Sequence, residues 1–117
     1  MANPLPPCPN SPNCYRTSRT FSGAPEIVLD VAEKSVRALG GLFSGTAESV
    51  SVYASGIEAV FRIGPFKDDL SVAVEPLQDG STALHIRSKS RVGSYDYGVN
   101  RRRVRALLKA IEAELVG

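Results

Sequence analysis

The sequence predicts an α+β domain, an antiparallel sheet of four to five strands with two helices packed on one face, in the order β-α-β-β-β-β-α. Three observations carry this reading. Apolar residues recur near the helical period close to the start and at the end of the chain. Between those stretches the period falls to two, in short runs divided by glycine-containing turns. The 117 residues suffice for one core and one domain.

Residues 1–15 read as an arm and residues 16–117 as the folded domain. Residues 1–14 hold five of the eight prolines and both cysteines. Proline fixes φ and lacks an N–H, so the arm is extended or turned. Arg16 to Phe21 has the composition of a short edge strand.

The first helix begins at Pro25, a residue suited to the first helical position, and Glu26 follows where the helix dipole favours an acid. Ile27, Val28, Val31, Ala32 and Leu39 recur on one side, and Gly40-Gly41 reads as a left-handed stop.

Val50, Val52 and Ala54 then alternate with Ser49, Ser51 and Tyr53, and Ser55-Gly56 turns the chain. Ile57, Ala59, Phe61 and Ile63 form one face of the next strand, ended by Gly64-Pro65. Leu70, Val72 and Val74 line a third strand, Gln78-Asp79-Gly80-Ser81 reads as a turn, and Leu84 and Ile86 lie in a fourth. Short sequential strands joined by tight turns favour an antiparallel meander. The last helix runs from about Arg101 to Leu115, with Asn100 as its N-cap and Val104, Leu107, Leu108, Ile111 and Leu115 as its apolar stripe.

An apolar fraction of 43% excludes disorder over the whole length. No run approaches about 18 apolar residues, and residues 1–7 lack the basic and apolar regions of a signal peptide, so the chain as written reads as cytoplasmic. The net charge of +2 conceals a polarised distribution. From His85 to Lys109 there are eight lysines and arginines against one acid, Asp96, whereas the rest has six bases against eleven acids. A local positive field attracts anions even at modest net charge.

The segment Arg87-Ser-Lys-Ser-Arg91-Val-Gly-Ser-Tyr-Asp96-Tyr-Gly98-Val-Asn100-Arg-Arg-Arg103-Val-Arg105 therefore holds the candidate binding residues Arg87, Arg91, Asp96, Asn100, Arg101 and Arg103. With Val104 at the centre of the stripe and about 100° per residue, Arg102 and Lys109 fall on the far side, and Arg101 lies inside the boundary. Arg101, and with it Arg103, is expected to be partly covered. Covered guanidinium groups need carboxylate or carbonyl partners, or a bound anion. Asp96 is the nearest acid, and Asp68 and Asp69 come next. Gly93 and Gly98 suggest a tight loop whose backbone N–H groups face an anion. The alternative to a site is that Asp96 and the arginines form a polar clasp fixing the loop between the last strand and helix.

Cys8 and Cys14 are either thiols or a disulfide closing a small loop worth roughly 2–3 kcal/mol. Two cysteines and one histidine do not make a zinc site, so no metal or cofactor is expected. His85 alternates with Leu84 and Ile86 and reads as a surface or edge residue. Asp68-Asp69 reads as a turn ahead of a strand.

Cys8-Pro-Asn-Ser-Pro-Asn-Cys14 and the segment Arg87 to Arg103 together resemble the domain of unknown function 1499 family, an uncharacterised bacterial family. Phe66-Lys67-Asp68-Asp69 is similar to a third element of it. Where the family continues after the second cysteine with a small apolar residue and serines, this chain has Tyr15-Arg16-Thr17. The resemblance implies that the cysteine loop, the paired aspartates and the arginine segment belong to one design. It brings no catalytic residues. Its relatives' membrane or lipoprotein leaders make envelope association through a partner the alternative to a cytoplasmic location.

The leading functional expectation is a non-enzymatic binding or assembly module holding an anionic ligand or an acidic protein surface. One alternative is a hydrolase or transferase acting on an anionic substrate with Asp96 or His85 as base. Another is weak nucleic-acid binding with Tyr95 and Tyr97 as stacking residues.

Overall fold

A computed structural model of the chain describes residues 2–10, 13–41, 44–92 and 98–116. It contains β1 (Cys14–Phe21), α1 (Pro25–Ala38), β2 (Thr46–Tyr53), β3 (Gly56–Ile63), β4 (Phe66–Pro76), β5 (Thr82–Ser90) and α2 (Val99–Val116). The strands form one antiparallel sheet in the order β1-β5-β4-β3-β2. No helix among the described residues is long and apolar enough to cross a membrane.

The register assigns every side chain to a face, because directly opposed residues project to the same side. Ile57, Ala59 and Phe61 of β3 share one face with Leu70, Val72 and Val74 of β4 and with Leu84 and Ile86 of β5. Both helices cover this face. Val28, Leu29, Ala32 and Val36 of α1 join Val104, Leu107, Leu108 and Ile111 of α2 in the same core. We call the uncovered side the outer face.

Several local details differ from the sequence reading. Ile27 is 54% exposed, and Leu29, Ser35 and Val36 turn inwards instead. The packed side of α1 lies one residue round from the side that Ile27 and Val31 suggested. Helix α1 ends through an extended Leu39 whose N–H reaches Ser35 O, rather than through a left-handed glycine. Asp68 and Asp69 lie within β4 rather than in a turn, and Asn100 lies within α2 rather than capping it.

Strands β4 and β5 both extend further than their apolar alternation. Asp68, Ser88 and Ser90 occupy helix-facing positions where an apolar residue would continue the pattern, and all are buried. The polar positions that cut the alternation short build the centre of the candidate site.

Candidate functional site

Helix α2 approaches the sheet at its N-terminal end with Arg103 pointing inwards. Arg103 is wholly buried. Its Nε donates to the Ser44 carbonyl at 2.7 Å, and its Nη1 donates to Ser88 Oγ at 3.1 Å and to Asn100 Oδ1 at 3.0 Å. Nη2 lies 2.8 Å from Asp68 Oδ2, off the hydrogen-bond axis, as a contact ion pair. The guanidinium carbon also sits 4.8 Å from the centre of the Phe61 ring. A planar, always-charged group with several donors suits such a many-sided site better than a lysine would.

Asn100 extends the cluster. Its Oδ1 also accepts from Ser88 Oγ at 2.6 Å, while its Nδ2 donates to Ser90 Oγ at 2.9 Å and to the Asn13 carbonyl at 3.0 Å. The Asn13 carbonyl also accepts from Ser90 N. Asn13 lies within the proline-rich loop closed by a Cys8–Cys14 disulfide, whose Cα atoms are 5.6 Å apart. Gly45, at φ +73°, lets the chain beside Ser44 pass close to β3. A Cβ there would lie 2.7 Å from the Arg62 carbonyl.

The cysteine loop, the first of the paired aspartates and the strand–helix segment therefore meet in one buried hydrogen-bonded unit. Arg103, Asn100 and Asp68 thus form a buried polar clasp, whereas the clasp expected of Asp96 and the arginines falls in part outside the described residues. The remaining candidates lie elsewhere. Arg101 is exposed rather than partly covered, its guanidinium carbon 5.7 Å from the Tyr15 ring centre. Helix α2 lies over β5 and β1, the last strands on that side of the sheet. Arg101 projects towards β1, the edge strand, and Arg103 projects towards β4 and β3. Asp96, with Gly93, Tyr95 and Tyr97, lies outside the described residues.

Arg87 and Arg91 belong to the outer face. Arg91 forms a forked ion pair with Asp69, Nε to Oδ2 at 3.1 Å and Nη2 to Oδ1 at 3.0 Å. The carboxylate raises the Arg91 pKa above its ordinary value. Arg87 is directly opposed by Arg16 on β1 and by Ser71 on β4. Arg16 donates to the Leu5 carbonyl at 2.8 Å, and Ser71 donates to Glu58 at 2.8 Å. Arg87 has a buried Nε without a hydrogen-bond partner among the described residues. Lys89 follows on the same face, and its ammonium donates to the Ser90 carbonyl. Among the described residues none of Arg16, Arg87 and Lys89 has a carboxylate partner.

His85 corrects the expectation of a surface histidine, since it is wholly buried on the outer side of β5. Its Nε2 lies 2.8 Å from Glu75 Oε1, and its Nδ1 lies 2.7 Å from Ser18 Oγ. Asn3 Nδ2 donates to Ser18 Oγ and to the Thr17 carbonyl. A carboxylate only accepts, so Nε2 carries the proton shared with Glu75. Serine, histidine and glutamate are the residue types of a hydrolytic triad. Here the imidazole is closed in and the serine oxygen is engaged by Asn3, so the chain of bonds ties the arm to the sheet. The cross-strand pair Ser18–His85 follows from register, which residue type alone does not reveal.

Fold and site together define a small α+β domain in which a helix-backed antiparallel sheet is locked by a buried arginine clasp. The chain matches the family described as protein of unknown function (DUF1499) over residues 4–111, and it belongs to that family. No curated protein matches it significantly. Several solved structures are similar in fold, among them two over most of both chains. A protein from Mycobacterium smegmatis described as a START superfamily protein has a TM-score of 0.62 at 13% identity, over 88% of this chain and 97% of that one. A protein from Chromobacterium violaceum solved by X-ray crystallography has a TM-score of 0.60 at 15% identity, over 90% of this chain and 99% of that one. The likeness is one of fold.

Proposed function

We propose that this domain is a non-enzymatic binding module that holds an anionic ligand, or an acidic segment of a partner protein, on its outer sheet face at Arg16 and Arg87. The observation that carries this reading is that Arg16 and Arg87 stand directly opposite each other on adjacent strands, without a carboxylate partner among the described residues. Like charges placed directly opposite each other destabilise a sheet, and a buried donor without a partner costs about 1–3 kcal/mol. A carboxylate or phosphate seated between the two arginines relieves both penalties. Lys89 adds a third positive charge on the same face. Arg91 is less available because Asp69 occupies its fork. Arg103 and Asn100 serve the clasp.

The test is a titration followed by amide NMR shifts, using inorganic phosphate and a glutamate-rich peptide as separate probes. Binding to either probe, with shifts centred on Arg16 and Arg87, is expected, together with at least about tenfold weaker binding by Arg87→Gln, about 1.4 kcal/mol. Equal binding by the variant, or no binding of either probe, would overturn the reading.

A further inference from the structure

The two edges of the sheet are finished differently. The β1 edge is strapped by the arm, whose Asn3 satisfies the Thr17 carbonyl and whose Cys8 is bonded to Cys14. At the other end, no strand lies beyond β2 among the described residues. An open edge is a row of backbone donors and acceptors ready to pair with another chain unless charge, proline or a bulge blunts it.

Strand β2 has one such device, and it stands at one end. The pairing with β3 slips between Ala47 and Ser49, which leaves Glu48 as a bulge. Glu48 is turned back on its own sheet, 2.7 Å from Arg62 and 3.0 Å from Lys67. Beyond the bulge the regular strand is Ser49-Val50-Ser51-Val52-Tyr53, with neither charge nor proline. Val52 and Tyr53 are 41% and 60% exposed.

We infer that this edge pairs with the same edge of a second copy of the chain, antiparallel and centred on Ser51. Antiparallel pairing of identical strands about a two-fold axis opposes each residue to its mirror position in the segment. Only centring on Ser51 uses all five regular residues. Ser51 then faces its own copy, Val50 faces Val52, and Ser49 faces Tyr53. The valines lie on the helix-covered side in both copies, so the apolar layers join, and no like charges meet. This neutrality favours a second copy over a charged partner. The strapped β1 edge stops the sheet from growing further, so the assembly closes as an isologous dimer rather than a fibre. Five paired residues make a small interface, so association is weak and concentration-dependent.

Sedimentation equilibrium over micromolar to millimolar protein checks this. The apparent mass should rise from 12.5 kDa towards twice that value. Val52→Lys, at an exposed position, should remain monomeric with an unchanged circular dichroism spectrum. Cys8 and Cys14 are bonded to each other, so a new thiol reports only on the edge. Ser51→Cys should oxidise to a covalent dimer. Ser49→Cys alone should not, but should cross-link when mixed with Tyr53→Cys. A constant monomer mass, a dimer undisturbed by Val52→Lys, or equal cross-linking through Ser49→Cys alone would each overturn the inference.

Discussion

Arg103 and Asp68 face each other at 2.8 Å with side chains 0% and 2% exposed, joining α2 to β4 through the interior. Removing water from two charges is expensive, and their attraction repays it only when the geometry is good and the other donors are also satisfied. Ser44, Ser88 and Asn100 satisfy those donors.

Breaking one side of this pair should be severe. Asp68→Ala leaves a buried guanidinium without its carboxylate, and a loss of about 3–5 kcal/mol is expected in urea denaturation. Arg103→Leu should cost a similar amount because it leaves the buried Asp68 carboxyl without its partner. The double variant Asp68→Leu with Arg103→Leu should lose clearly less than the sum, since no stranded charge remains. Strict additivity of the two losses would show that the ion pair is not the coupling element.

Asn100 connects the clasp to the cysteine loop, so its replacement should be felt at both. Asn100→Ala removes an acceptor for Ser88 and Arg103 and a donor to Asn13 and Ser90. A buried polar group left without a partner costs about 1–3 kcal/mol, and several are stranded here. The expected outcome is a loss of at least about 2 kcal/mol, with faster amide exchange at Ser90, whose N–H donates to Asn13. Stability within about 0.5 kcal/mol of the parent would mean that the Asn100 bonds contribute little.

The Cys8–Cys14 bond closes a loop with a sequence separation of six. For so short a loop the chain-entropy estimate is about 2 kcal/mol. Reduction, or Cys8→Ser with Cys14→Ser, should lower stability by about that amount while leaving the far-ultraviolet dichroism intact. The arm is also held by Asn3 and by the Leu5 carbonyl, so it should loosen without unfolding the sheet. Complete unfolding on reduction would show that the loop does more than position Asn13.

The layout of the sheet and helices was legible because their apolar periods are strong. Val104, Leu107, Leu108 and Ile111 carry the helical stripe, and Ile57, Ala59 and Phe61 carry the strand alternation. The clasp was only half legible. Its residues stood out by type, but helical phase about Val104 put Arg101 inside and gave Arg103 only partial cover. Phase measures only rotation about the helix. Which flank is covered depends on where the helix lies across the sheet, a tertiary fact without a local signal. The same limit hid Ser18 and Glu75, which reach His85 through strand pairing. Asp68 was misread because a buried carboxylate in a strand has the same composition as a polar turn.

Glu48 provides a test on the exposed side of the molecule. Hydrogen bonding from Arg62 first, and then from Lys67, lowers its pKa below that of an ordinary glutamate. A carboxyl group whose folded value is depressed adds stability above its unfolded value and loses it as pH falls through the folded value. Stability of the parent relative to Glu48→Gln should therefore be greatest from neutral pH down to the ordinary carboxylate range. It should shrink as the pH is lowered further. Because the group is solvent-exposed, the advantage should be small and should also shrink in high salt. Melting temperatures of the two proteins, measured across an acid series at low and high ionic strength, report this directly. A difference that stays constant throughout both series would show that the Arg62–Glu48–Lys67 network does not stabilise the fold through its charge.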